Sequence, residues 1–335
     1  MLTVTCDMPR RLSLEERPLP ERRDGEVLLR VRRVGVCGTD LHIYTGDQPY
    51  LQYPRVMGHE LSGVVAEADR GSKLAAGDAV LVMPYLSCGH CVACRQGKTN
   101  CCVNIQVLGV HCDGAFTEYL SVPEAFVHKV DVSLDEAAMV EFLAIGAHAV
   151  RRGTVRAGER VLVVGTGPIG MAVLVFARLR GAAVTALDTR PDRVAFCLDH
   201  LGAHAGVTLG ADDEAQLARL TDGEFFDIVF DATGNARAME RGFRFVAHGG
   251  RYVFVSIVRD NITFSDPEFH KRETTLIASR NATLEDFETV LAAMRAGHVP
   301  TAALNTHRLP LARVPAEFER LLDPAQHVVK AIVEC

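Results

Sequence analysis

Short runs rich in valine, leucine and other apolar residues, over 27–34, 63–68, 79–84 and 116–122, are bounded by polar, glycine- and proline-containing stretches and read as short strands. Glycine-aspartate pairs such as Gly77-Asp78 separate these runs and predict turns. The region up to about residue 145 therefore reads as β-rich, with its chemically interesting side chains on loops. From Arg160 the texture changes. Apolar runs at 160–164, 183–187, 227–231 and 251–256 alternate with stretches of helical period at 169–180, 190–201 and 236–246. Strand and helix alternating at this spacing predict βαβ units on a parallel sheet. Past Arg280 come two helices, 284–296 and 314–322, and one last strand, 328–333. That segment shows no parallel-sheet pattern and is expected to return to the first domain. The expected domains are 1–145, 146–282 and the returning 283–335.

Composition narrows the function classes more than it narrows the fold. A chain of 335 residues, 48% hydrophobic and 23% charged, has the balance of an ordinary globular protein of about two domains. The net charge is −6, and no basic stripe is interleaved with aromatics, which argues against nucleic-acid binding. The most apolar stretch, 161–177, is short for a membrane span and is broken by Gly165, Gly167, Pro168 and Gly170; strand, turn and helix suit it better. Residues 1–20 lack the apolar centre of a signal peptide, so a reducing, cytoplasmic setting is expected.

In such a setting the run Cys88, Cys91, Cys94 and Cys102 reads as a metal site rather than a disulfide cluster. Four thiols within fifteen residues suit a closed, structural zinc. Upstream, Cys37 and His59 offer one thiolate and one imidazole, a mixed set suited to a zinc that keeps a coordination position open. Glu60 and Glu141 are both candidates for the third protein ligand. Thr39 is placed to hydrogen-bond an alcohol oxygen, and His42 to pass a proton on to water. Asp40 has the character of a carboxylate that orients a metal-binding histidine.

The second half carries Gly165-Thr166-Gly167-Pro168-Ile169-Gly170 between a predicted strand and a predicted helix, the context in which this motif cradles a pyrophosphate. Asp188, 18 residues past Gly170, can accept ribose hydroxyls and would repel a 2′-phosphate, which points to NAD. Arg193 is a possible phosphate or adenine neighbour. A zinc-bearing domain joined to a dinucleotide domain implies oxidation of an alcohol with hydride passed to nicotinamide.

The motifs GVCGTDLH, MGHE, CGHCVACRQGKTNCC and GTGPIG, in this order, resemble the zinc-dependent medium-chain alcohol dehydrogenase family along essentially the whole chain. Glu141 falls where the polyol, sugar-acid and threonine dehydrogenases of that family carry a glutamate. The resemblance implies an α/β fold, with a GroES-like β-rich catalytic domain and a Rossmann doubly wound parallel-sheet domain. It implies one catalytic and one structural zinc, with NAD as cofactor. It adds Ile169, Val255, Ser256, Ile257, Ala278, Ser279 and Arg280 as cofactor positions, and Ile43, Glu141, Arg280 and Asn281 as substrate positions. Ile43 stands in place of a tyrosine that lines the sorbitol pocket, which argues against sorbitol. Loop residues Gln48, Tyr50 and His111 cannot be aimed from sequence.

The function expected is oxidation of a secondary alcohol of a sugar acid, at C5 of a hexonate. A polyol or threonine-type dehydrogenase is the alternative, and an NAD-binding protein without catalysis is a reading of another class. The partner is a small molecule, with no nucleic acid and no membrane. A homo-oligomer, dimer or tetramer, is expected from the resemblance.

Overall fold

The computed structural model describes residues 1–48 and 51–335, and Tyr50 lies outside the described residues. Two compact units emerge. The first contains Met1–Glu141, Leu291–Ala296 and Thr301–Cys335, and the second Phe142–Val290 and Gly297–Pro300.

The first unit is organised by a seven-stranded sheet. Its spatial order is Val127–Lys129, Ala79–Val82, Glu60–Glu67, Glu26–Val36, Lys330–Glu334 and Asn305–Pro310, with Tyr119–Pro123 also paired to Glu26–Val36. Leu29, Val31 and, past a register shift at Val31/Arg33, Val34 of the long strand are buried in a core with Val4, Met57, Phe116, Phe318 and Val333. A smaller sheet of Arg11–Glu16, Leu2–Met8 and Arg55–Val56 lies outside the runs expected from sequence. Asn305–Pro310 and Lys330–Glu334 pair in parallel, which corrects the expectation that the returning segment holds no parallel pairing. Short helical segments between them, Val314–Glu317 and Phe318–Leu322, supply the crossover that parallel strands need.

The second unit carries a six-stranded parallel sheet in the order Ala205–Thr208, Ala183–Asp188, Arg160–Val164, Phe226–Asp231, Val246–Phe254 and Thr275–Ala278. The chain builds outward from Arg160–Val164 on one side and then resumes on its other side. Such a reversal opens a crevice at the carboxyl ends of the strands, where α/β sheets bind ligands. Helix Pro168–Leu179 buries every residue from Gly170 to Ala177, which explains its nearly unbroken apolar sequence. The helix expected over 236–246 ends at Gly242, and a 3-10 turn, Phe243–Phe245, leads into the next strand. That strand starts at Val246 and contains a register shift before Arg251, where His248-Gly249-Gly250 interrupts the apolar pattern. Asp286, almost fully buried, accepts hydrogen bonds from His148, Arg151 and Thr283, a charged node of this unit. Among the described residues, no helix is long and apolar enough to cross a membrane.

Candidate functional site

Strand Glu26–Val36 runs directly into helix Gly38–Thr45, and Cys37 is the hinge residue that caps the helix. Asp40 closes that cap by accepting the Cys37 amide at 2.9 Å, and it accepts the Gly58 amide at 3.1 Å. One buried carboxylate thereby fixes the backbone beside both Cys37 and His59. Its Oδ1 lies 3.9 Å from His59 Nδ1, beyond hydrogen-bond distance, so the expected orienting contact gives way to backbone bracing. Among the described residues, donor atoms of Cys37, His59 and Glu60 lie within 4.8 Å of one another.

Glu60 is fully buried and pairs with Lys330, whose Nζ sits 2.7 and 2.6 Å from its two oxygens and donates to the Val36 carbonyl at 3.1 Å. Burial opposes the lysine's charge, but Glu60 holds its pKa above the ordinary value. Room for this pair depends on Gly35, where a Cβ would fall 2.2 Å from Glu60 Oε2. Glu141 opens the helix Val140–Arg152 and is 3% exposed. Tyr85 donates to its Oε1, while Oε2 is buried without a hydrogen-bond partner among the described residues, as is His59 Nδ1. Burial pushes the Glu141 carboxyl up to about 7 against the opposing charge of His59. For His59, burial works against protonation, yet the Cys37 thiolate and Asp40 hold its pKa well above the usual value. An imidazole, a thiol and one carboxylate with donor atoms within 4.8 Å of one another, with the unpartnered Oε2 of a second buried carboxyl acting on the same histidine, fit a divalent cation. Thr39 is half-buried and His42 exposed. Ile43 has no exposed surface and belongs to the first unit's core, so it offers nothing for a substrate to touch, contrary to the sequence expectation.

All ten cysteines are free thiols. The sulfurs of Cys88, Cys91, Cys94 and Cys102 lie within 4.8 Å of one another, with Cys91 and Cys94 at 3.5 Å. A tetrahedron of ~2.3 Å zinc–sulfur bonds has edges of ~3.8 Å, and the 3.5 Å between Cys91 and Cys94 is close to one such edge. Amides assist it: Val103 N–H reaches Cys91 Sγ at 3.5 Å, and Cys88 N–H reaches Cys102 Sγ at 3.2 Å. Backbone hydrogen bonds from Cys94 and Val103 draw the Cys91 thiol down to about 6, toward the thiolate that a metal requires.

In the second unit, Gly167 caps helix Pro168–Leu179. Gly170 packs so closely under the loop that a Cβ would lie 1.8 Å from the Gly165 carbonyl oxygen. Arg193 brings Nη1 to 3.8 Å from the place a Gly167 Cβ would take, so a cation stands beside the loop's open amides. Asp188 is more committed than its sequence position suggests. Its Oδ2 accepts the Thr166 amide at 2.6 Å and hydroxyl at 2.9 Å, and Oδ1 accepts the Arg190 amide at 2.9 Å. Ile169 lies in the first turn of the loop's helix, half-buried. Val255, Ser256 and Ile257 follow the strand Val246–Phe254, with Ile257 exposed, and Ser256 Oγ accepts the Gly234 amide at 2.9 Å. Ala278, the buried Ser279 and the exposed Arg280 end the neighbouring strand, and Asn281 follows with φ +52°. These residues share the carboxyl edge of the sheet. Sequence reasoning missed Tyr85, Lys330 and Thr166, whose partners lie 56, 270 and 22 residues away.

Residues 23–132 match the model of the alcohol dehydrogenase GroES-like domain, and residues 168–296 that of the zinc-binding dehydrogenases. The chain is 41% identical to L-galactonate-5-dehydrogenase of Escherichia coli (strain K12), over 99% of this chain and 98% of that protein. It is 33% identical to 2-dehydro-3-deoxy-L-galactonate 5-dehydrogenase of Pseudoalteromonas atlantica, over 93% of this chain and 92% of that one. A crystal structure of the alcohol dehydrogenase rspB from Escherichia coli CFT073, complexed with NADH, aligns with a TM-score of 0.94 at 28% identity, covering 100% of this chain and 99% of that one. With two clusters of metal-donor side chains in one unit and a glycine-rich parallel-sheet edge in the other, the chain belongs to the zinc-dependent medium-chain alcohol dehydrogenase family of oxidoreductases.

Proposed function

We propose that this enzyme oxidises a secondary alcohol of a sugar acid with NAD as hydride acceptor, at C5 of L-galactonate or a related hexonate, giving the keto acid. The observation that carries the reaction is the donor set of Cys37, His59 and Glu60, whose ligand atoms lie within 4.8 Å of one another, with the buried Glu141 acting electrostatically on His59 and its Oε2 left without a partner among the described residues. An orphaned buried polar group costs about 1–3 kcal/mol, which a bound cation offsets. The substrate class rests on the two sugar-acid dehydrogenases to which the chain is similar along its length.

Cys37 and His59 hold the catalytic zinc, with Glu60 or Glu141 as the third protein donor, and the four clustered cysteines hold the structural one. The catalytic zinc, when bound, supplies Lewis acidity that makes the substrate hydroxyl acidic near neutral pH. Thr39 orients that hydroxyl, and His42, exposed on the same helix, releases the proton to water. Gly165 to Gly170 receive the pyrophosphate at the helix N-terminus, and Asp188 disfavours a 2′-phosphate. Val255 to Ile257 and Ala278 to Arg280 serve as nicotinamide positions, Arg280 is assigned the pairing with a substrate carboxylate, and Asn281 is a further substrate position. The catalytic domain is 1–145 with the returning 283–335, and 146–282 binds the cofactor. The enzyme works in the cytoplasm as a homo-oligomer, without a nucleic-acid partner.

The test is NAD reduction by zinc-loaded protein across a panel of aldonates, neutral polyols and L-threonine. A hexonate should give the highest kcat/KM. A lead for threonine or a neutral polyol would move the enzyme to that branch, and bound NAD without turnover on any substrate would remove the catalytic reading.

A further inference from the structure

The two carboxylates near Cys37 and His59 are held in unlike ways. Lys330 takes both oxygens of Glu60. Tyr85 takes only Oε1 of Glu141, and Oε2 stays buried without a partner among the described residues. A carboxyl on a flexible side chain would otherwise exchange its oxygens by turning about its last bond, a broad, two-fold torsion. A buried phenol pinned to one oxygen removes that freedom. Tyr85 is itself rigidly placed: it is 3% exposed, and it begins the two-residue strand Tyr85–Leu86, paired with Gln106–Val107. This pair forms the neck of the loop that carries Cys88 to Cys102.

Building on the zinc-dehydrogenase reading, we propose that Tyr85 is a positioning residue: by occupying Oε1 it fixes the Glu141 carboxylate so that Oε2 is the acceptor offered to the catalytic metal or its water. Lys330 does the opposite to Glu60, saturating it. Glu141 is then the carboxylate with one oxygen held and the other on offer, and Glu60 the one with both oxygens taken. The cysteine-rich lobe acquires a role beyond folding, because the neck it closes is where Tyr85 stands.

The test uses cobalt-exchanged holoenzyme, in which the visible spectrum reports the metal's ligands, together with chelator-driven metal release. Tyr85→Phe should shift the part of the spectrum that disappears in Cys37→Ser. It should also speed release from that site by about tenfold or more, leaving release from the four-cysteine site unchanged. Its kcat should fall by about tenfold or more, with KM within about threefold of wild type. In a Glu141→Ala background, adding Tyr85→Phe should change neither spectrum nor release further. An unaltered Cys37-dependent spectrum and release in Tyr85→Phe would overturn the proposal, as would an effect undiminished without Glu141.

If Tyr85→Phe fails to fold, Glu141→Gln replaces it. Its amide oxygen can keep the Tyr85 proton, which leaves an NH2 in place of Oε2, so the Cys37-dependent spectrum should change with Tyr85 in place; an unchanged spectrum again overturns the assignment. Failure of the underlying family reading looks different, since wild type itself would then show no Cys37-dependent cobalt spectrum.

Discussion

Asp188→Ala tests cofactor selection and loop architecture together. From sequence, Asp188 is expected to accept ribose hydroxyls and repel a 2′-phosphate, so that its loss would move preference toward NADP. In the structure the same carboxylate anchors Thr166 at the centre of the glycine-rich loop through two hydrogen bonds, and the Arg190 amide through another. Thr166 has no exposed surface, so its amide cannot turn to water once Asp188 Oδ2 is gone. Leaving that amide unsatisfied costs about 1–3 kcal/mol, and the lost hydroxyl contact adds about 1 kcal/mol. The Arg190 amide is less enclosed and rehydrates.

We therefore expect the cofactor-free variant to be about 2–4 kcal/mol less stable in urea. Both cofactors need the loop, so kcat/KM should fall for NAD while NADP gains little in absolute terms. The NAD/NADP ratio drops because its numerator drops. Stability within about 0.5 kcal/mol of wild type, together with a large loss of NAD affinity, would refute this, since Asp188 would then act on the ribose alone.

Wild-type protein should bind two zinc ions per chain. Cys94→Ser should lose the structural one with a marked fall in melting temperature, and Cys37→Ser should lose turnover with the fold kept; metal analysis and thermal scans of both variants check this. Against burial, hydrogen bonds from His148, Arg151 and Thr283 hold the Asp286 carboxyl well below the usual carboxylate range. Its contribution is therefore complete above the unfolded value of about 4 and is lost as pH falls through the folded one. Asp286→Asn should cost about 3 kcal/mol at neutral pH, and the gap to wild type should shrink in urea titrations toward pH 3; a gap independent of pH would contradict it. Arg280→Lys should cut kcat/KM for hexonates by about ten- to a hundredfold, roughly 1.4–2.7 kcal/mol, with NAD affinity nearly constant, and equal losses for neutral polyols would remove its role toward the carboxylate.

Periodicity reached the elements whose packing is simple. Strand Arg160–Val164 sits at the centre of a parallel sheet, buried on both faces, and its apolar run marks both ends. Thr275–Ala278 escaped because it is short and mostly exposed at the sheet's edge, so no face imprints a pattern on it. Leu2–Met8 was hidden by Thr3 and Thr5, polar yet buried because Thr117 and Arg17 hydrogen-bond them, and Arg11–Glu16 by its charged residues at the sheet's edge. Among candidate site residues, those with a local signature were legible: the spaced cysteines, the glycine loop, and Cys37 flanked by Gly35 and Gly38. Lys330 and Tyr85 were not, because a lysine on a last strand and a tyrosine beside a loop gain meaning only from partners far away in the chain. Ile43 shows the converse error, a position matched by resemblance whose side chain the core has absorbed.

The place of Lys330–Glu334 inside the large sheet has a consequence for the order of synthesis. This strand lies between Glu26–Val36 and Asn305–Pro310, and Lys330 reaches the Val36 carbonyl across 294 residues of chain. At about 5–20 residues per second the ribosome needs roughly 15–60 s to deliver it. For that interval Glu60 has no lysine, and one side of strand Glu26–Val36 lacks its eventual neighbour. The parallel sheet of the second unit is made wholly from residues 160–278 and can close earlier. A nascent chain thus carries a finished nucleotide-binding sheet and an unfinished catalytic one, and the last strand to emerge installs the counter-ion that lets Glu60 stay buried.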